Sequence, residues 1–104
     1  MNEAPMTEKQ LSQTIVDAAR DCGWLVYRTF NSRYSPAGYP DLHLIRNGEQ
    51  MFMELKSAKG KTTPKQDEWL AALKECPDVD VRVVYPSDLE DVYRLLVTGP
   101  THAA

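Results

Sequence analysis

Apolar positions recur along this chain with two periods, near 3.6 and 2, and their order lays out the expected elements. After Thr7 they fall at Leu11, Ile15, Ala18 and Cys22, the spacing of one helix face. Thr7 with Gln10 has the capping-box pattern, and Gly23 suits the position just past the helix end. Residues 24–30, WLVYRTF, are β-branched and aromatic and predict a strand. DLHLIR at 41–46 and EQMFMELK at 49–56 flank Asn47-Gly48, the strongest short-range signal for a two-residue type I′ hairpin. Thr63, Pro64 and Gln66 open a second helix whose apolar stripe is Trp69, Leu70, Leu73 and Cys76. Residues 79–85, VDVRVVY, predict a fourth strand. Ser87 with Glu90 then caps a short helix carrying Leu89, Val92, Leu95 and Leu96. The order is α-β-β-β-α-β-α. A strand, helix, strand passage needs a crossover, so the expected fold is α/β, a small mixed β-sheet flanked by helices.

The hairpin turn fixes a register. If Arg46 and Glu49 close the turn, Asp41 falls opposite Glu54, where like charges destabilise an antiparallel pair. Leu42, Leu44, Met51, Met53 and Leu55 share one apolar face, turned to the core. Asp41, His43, Ile45, Gln50, Phe52, Glu54 and Lys56 share the other, which is mixed and therefore partly covered. Two carboxylates and an ammonium thus converge at the hairpin mouth, an arrangement suited to a divalent cation. His43, beside Asp41, reads either as a proton-transfer group or as an incidental strand histidine.

Length and composition describe one globular domain over residues 1–104, with residues 1–6 and 98–104 expected to be flexible. No apolar run approaches the length that spans a bilayer, and the start lacks a signal-peptide pattern, so a cytoplasmic, soluble protein is expected. Cys22 and Cys76 have no metal-site spacing and read as reduced, buried small hydrophobes.

The net charge of −3 speaks against a nucleic-acid partner until its distribution is considered. Residues 28–65 hold seven basic side chains against three acidic, and the remainder five against twelve. Two of those three acids are the pair at the mouth, so its surroundings are expected to be positive. The connection at 31–40 is long and without periodicity, as functional loops often are. Arg33, Tyr34 and Tyr39 give it a cation and two stacking surfaces. Lys59, Lys61 and Lys65 follow Lys56 with no acid among them. With Arg28, Arg33 and Tyr34, they are the expected DNA contacts.

Clustered carboxylates with a lysine suit metal-assisted phosphodiester hydrolysis, and Mg²⁺ is usually held by one or two carboxylates, waters and substrate phosphate. Lys56 is better placed to stabilise charge than to act as a base, since two neighbouring anions keep it protonated. Glu8, three residues before Leu11, is either a first-turn acid favoured by the helix dipole or a carboxylate delivered to the site. Gln66 has a complete structural explanation as a capping residue.

Pro40-Asp41 followed by Glu54-Leu55-Lys56 resembles the PD-(D/E)xK nuclease superfamily, whose core is restriction-endonuclease-like. The setting, TEKQL, GWLVYR, GYPDL, MELK and TPKQDEWL in order, resembles the virus-type replication-repair nuclease (VRR-NUC) domain over most of the chain. That resemblance implies Asp41 and Glu54 as metal-binding acids, the Leu55 main-chain carbonyl as a further ligand, and Lys56 as the motif lysine. It implies Gln66 as a site residue on the second helix. Glu8 would be an acid of the first helix at the site, with Ser12 and Gln13 as alternatives. It also implies a Mg²⁺- or Mn²⁺-dependent DNA endonuclease, a homodimer without organic cofactor. Such an enzyme would act on branched, Holliday-junction or flap DNA in replication, repair or recombination. A trimming or nicking nuclease without junction preference is the alternative, as is a non-catalytic nucleic-acid-binding module.

Overall fold

Alternation along the hairpin decides which face of the sheet each neighbouring element covers. The structure, a computed structural model, describes residues 5–29 and 36–100. Helix α1 (Glu8–Asp21) is followed by strands β1 (Leu25–Arg28), β2 (Leu42–Arg46) and β3 (Glu49–Leu55). Helix α2 (Pro64–Lys74), strand β4 (Val79–Val84) and helix α3 (Leu89–Thr98) complete the order. The strands form one sheet, β1-β2-β3-β4, antiparallel except for the parallel β3–β4 pair. α2 is the crossover that this parallel pair requires. The fold is thus the expected α/β arrangement, a mixed four-stranded sheet flanked by helices.

The hairpin adopts the register its turn dictates. Arg46 pairs with Glu49, Leu44 with Met51 and Leu42 with Met53. Asn47 and Gly48 hold positive φ, 50° and 79°, as a type I′ turn demands. Leu42, Leu44, Met51, Met53 and Leu55 are buried against Leu11, Ile15, Val16 and Ala19 of α1 and Val92, Leu95 and Leu96 of α3. Fully burying each such side chain contributes roughly 1.5–3 kcal/mol, so this layer dominates stability. Phe52, Glu54 and Lys56 alternate to the opposite face, the α2 side. There the Tyr39 ring packs edge-on against Phe52 and Trp69, at centroid distances of 6.2 and 5.0 Å.

Several local expectations shift. The buried face of α1 is Leu11, Ile15, Val16 and Ala19, with Ala18 and Cys22 only partly buried. The spacing permits either flank of the Leu11–Ile15 line, and the flank with the bulkier Val16 removes more apolar surface from water. β1 is shorter than 24–30, because Trp24 turns inward and its indole N–H donates to the Leu96 carbonyl at 2.9 Å. Phe30 lies outside the described residues. Ser87 is not a cap. Pro86–Asp88 form a 3₁₀ turn, and the Asp88 carboxylate accepts the Tyr85 N–H at 2.8 Å. α3 runs on through Thr98, and Gly99 after it is buried. Cys76 is exposed rather than buried: it lies past the end of α2, whose one buried residue is Leu70. No helix of the described residues is long and apolar enough to cross a membrane.

Candidate active site

At the hairpin mouth the ladder ends one residue short of Asp41, and extending the register by one step sets Asp41 opposite Glu54. Counting outward from the closing Arg46–Glu49 pair, that step is a non-hydrogen-bonded position, where opposed side chains approach most closely. The Asp41 carboxylate accepts the Leu55 N–H at 2.8 Å. Across from Leu55 in this register stands Pro40, which has no N–H to offer the Leu55 carbonyl. An extended residue sends its N–H and C=O to the same edge, so that carbonyl is directed toward Asp41. The Pro40 carbonyl is itself tied down by the Thr29 hydroxyl, which donates to it at 2.7 Å.

Glu54 is 2% exposed and Lys56 7%. Glu54 Oε2 accepts from Gln66 Nε2 at 2.9 Å and lies 3.8 Å from Lys56 Nζ. With both acids ionised, Glu54 Oε1 is buried without a hydrogen-bond partner among the described residues. Burial, then the charge of Asp41 and a hydrogen bond with it, push the Glu54 carboxyl from 4.5 up to about 8. Lys56 opposes this rise and Glu8 adds to it slightly. A proton held between the two acids is one way to satisfy the pair. A cation is the other.

Gln66 unites its two expected roles, because its amide has two ends. Oε1 accepts the Thr63 N–H at 2.9 Å and completes the capping box, while Nε2 donates to Glu54. Gly38 lets α2 sit this close to the loop before β2. Its φ is +89°, and a Cβ there would meet the Lys65 backbone at 2.5 Å. The sequence marked Gly38 only as a loop residue; its partner is 27 positions away along the chain.

The remaining candidates divide. Glu8 is exposed in the first turn of α1, with its charge felt at Glu54 but no contact to it. Gln13 donates to Asp17 at 2.7 Å and accepts from Arg28 at 2.9 Å, and Ser12 is half-buried. Arg28 is therefore engaged on the α1 side of the sheet. Lys59 and Lys61 are exposed, and Lys65 pairs with Glu68 at 3.6 Å in solvent. Arg33 and Tyr34 lie outside the described residues. Tyr39 is taken up in the packing described above. His43 stacks on Phe52 at 4.1 Å and shares a 2.9 Å hydrogen bond with Gln50, so packing explains it. Arg46, counted among the basic residues of this region, belongs to the opposite end of the hairpin.

Among the described residues, no cluster of three or more His, Cys, Asp and Glu side chains could hold a metal. The donors at the mouth are two carboxylates and a main-chain carbonyl. An all-oxygen set with one unsatisfied, buried carboxylate oxygen fits a hard cation such as Mg²⁺, which needs few protein ligands.

Known proteins match the family and the fold. The family model described as VRR-NUC domain matches residues 1–88. A solved structure described as "VRR_NUC domain" shares 23% identity at a TM-score of 0.69, covering 88% of this chain and 96% of that one. A second, "VRR_NUC domain protein", shares 17% identity at a TM-score of 0.67, covering 91% and 88%. No curated protein matches. The two structures bear on the fold, and the family model bears on membership. With its mixed sheet, its Pro40-Asp41 and Glu54-Leu55-Lys56 at the mouth of one hairpin, and a family match over most of its length, the chain belongs to the VRR-NUC family and has its nuclease-type fold.

Proposed function

We propose that the protein is a Mg²⁺- or Mn²⁺-dependent DNA endonuclease whose active site is the hairpin mouth. The observation that carries this reading is the buried Glu54 carboxylate, opposed by Asp41 and left with an oxygen unsatisfied among the described residues. A protein that only bound nucleic acid would gain nothing from such a pair. Asp41, Glu54 and the Leu55 carbonyl would hold the cation, which supplies Lewis acidity at the phosphoryl oxygen and a more acidic bound water. Lys56 stabilises the charge that develops on the phosphoryl group. Gln66 fixes the orientation of Glu54 through their 2.9 Å hydrogen bond. Lys59, Lys61 and Lys65 hold backbone phosphates, and Glu8 contributes negative charge from the rim.

Branched DNA, a four-way junction or a flap, is the proposed substrate, cut by a homodimer so that two strands meet two sites. One feature supports a second copy. Leu25 and Ile45 are paired neighbours on a sheet face that α2 leaves uncovered, and with Tyr27 they are 74, 42 and 59% exposed. The test is incubation with labelled four-way junction, flap, duplex and single-stranded DNA in Mg²⁺, Mn²⁺ or EDTA. Cleavage of branched DNA that needs the divalent metal, and is lost in Lys56→Ala, is the expected result. Failure to cut any substrate, or cutting by Lys56→Ala at the wild-type rate, overturns the reading.

A further inference from the structure

Lys56 is an ammonium on a long flexible stem, yet it is 7% exposed and lies 3.8 Å from Glu54. Something must hold that stem. The segment that lies along it is the turn at residues 57–60, closed by the Gly60 N–H donating to the Ser57 carbonyl at 2.9 Å. Gly60 passes so close that a Cβ there would stand 3.3 Å from both Cβ and Cδ of Lys56. This strap reads Ser-Ala-Lys-Gly and carries no large apolar side chain to root it in the core; Ala58 and Lys59 are exposed. Among the described residues, the side chain from elsewhere that anchors it is Tyr85. Tyr85 Oη donates to the Gly60 carbonyl at 3.1 Å.

The position of Tyr85 follows from the sheet. β3 and β4 run parallel with Leu55 beside Val84, and the Lys56 N–H donates to the Val84 carbonyl at 3.0 Å. Tyr85 is the next residue of the chain, where β4 has ended and the Asp88 carboxylate holds its N–H. The rigid phenol therefore reaches over from the end of β4 and clamps the far side of the strap. We propose that Tyr85 is a positioning residue for Lys56: its hydroxyl pins Gly60 so that the strap confines the lysine stem and aims the ammonium at Glu54. Lys59 lies on the strap and Lys61 directly follows it, so phosphates bound there press on the element that seats Lys56. The inference rests on the reading of Lys56 as the group that stabilises the reacting phosphate.

Two measurements on Tyr85→Phe, which removes only the hydroxyl, test it. The first is independent of catalysis: brief acetylation of the folded protein, with each lysine quantified by peptide mass spectrometry. Lys56 is expected to react about threefold faster or more in the variant, as a freed strap opens locally, with Lys9 and Lys74 unchanged. The second is kinetic. The kcat on branched DNA is expected to fall about tenfold with KM unchanged, the signature of a misplaced group rather than weakened binding. Gly60→Ala, which keeps the Tyr85 bond but crowds the stem, is expected to lower kcat in the same way. If Lys56 acetylates in Tyr85→Phe at the wild-type rate, or if KM rises while kcat holds, the proposal fails. If the wild-type protein cuts no DNA, the nuclease reading fails, while acetylation still decides whether Tyr85 confines Lys56.

Discussion

The two ends of the β2–β3 hairpin each take charge out of water, and they are completed differently. At the turn end, Arg46 donates to the Cys22 and Leu96 carbonyls at 2.9 Å and to Val97 at 3.2 Å. Its guanidinium also lies over the Trp24 ring, 4.6 Å from the centroid. These carbonyls close α1 and α3, where the helix dipoles favour a cation. Its Nε has no partner among the described residues, but the charge sits among carbonyl oxygens of opposite partial charge. At the mouth, less than the length of β3 away, Glu54 faces an acid of its own sign and keeps an oxygen without a partner among the described residues. One end is a rivet made by the chain for itself. At the other, two acids are opposed and one buried carboxylate oxygen has no hydrogen-bond partner among the described residues, and on this the proposed metal site rests.

The comparison breaks most visibly under mirrored substitutions. Glu54→Gln keeps the shape of the side chain and removes its charge. Cleavage is expected to fall on the order of 10³-fold, the usual scale for losing one electrostatic stabiliser. The metal-free protein should nonetheless melt at a higher temperature than wild type at pH 9, since the repulsion with Asp41 is gone. Arg46→Ala should do the reverse. Losing the charged hydrogen bonds to three carbonyls costs about 2–3 kcal/mol, or roughly 10 °C or more in Tm, while cleavage well below Tm is retained. A variant at the mouth that lowers stability and spares activity would erase the distinction.

A smaller effect sharpens it. The folded protein keeps a proton on Glu54 that the unfolded chain releases, because the folded value is raised from 4.5 to about 8. The contribution of Glu54 to the stability of the metal-free protein is therefore fully present below about pH 4.5 and is lost as pH rises through about 8. Melting in EDTA across that range should show the decline in wild type and a flatter curve in Glu54→Gln. A wild-type curve that climbs with pH over the same window would place the proton elsewhere.

What could be read from the sequence was what is encoded locally. Asn47-Gly48 with period-2 alternation fixed the hairpin register, and with it the opposition of Asp41 and Glu54. Thr7-Gln10 and Thr63-Gln66 fixed two helix starts, because each capping box lies within four residues. Gln66 illustrates the limit. Its capping bond is local and readable, whereas its bond to Glu54 depends on how α2 packs and came into view only through family resemblance. The residues that escaped act over long separations. Arg46 reaches Leu96, Tyr85 reaches Gly60, and Gly38 meets Lys65, and no periodicity records such partners. The buried face of α1 and the exposed Cys76 were misplaced for a related reason. Helical spacing defines a stripe but not which flank of it another element covers.

Whether a divalent cation relieves the cost at the mouth is tested most directly by thermal melting at pH 8 with EDTA or with Mn²⁺. At a metal concentration near one hundred times Kd, wild type should gain about 2.7 kcal/mol, on the order of 10 °C in Tm. Asp41→Asn should lose most of that gain. No rise in wild type, or an equal rise in Asp41→Asn, would contradict the claim that the opposed acids are the metal site.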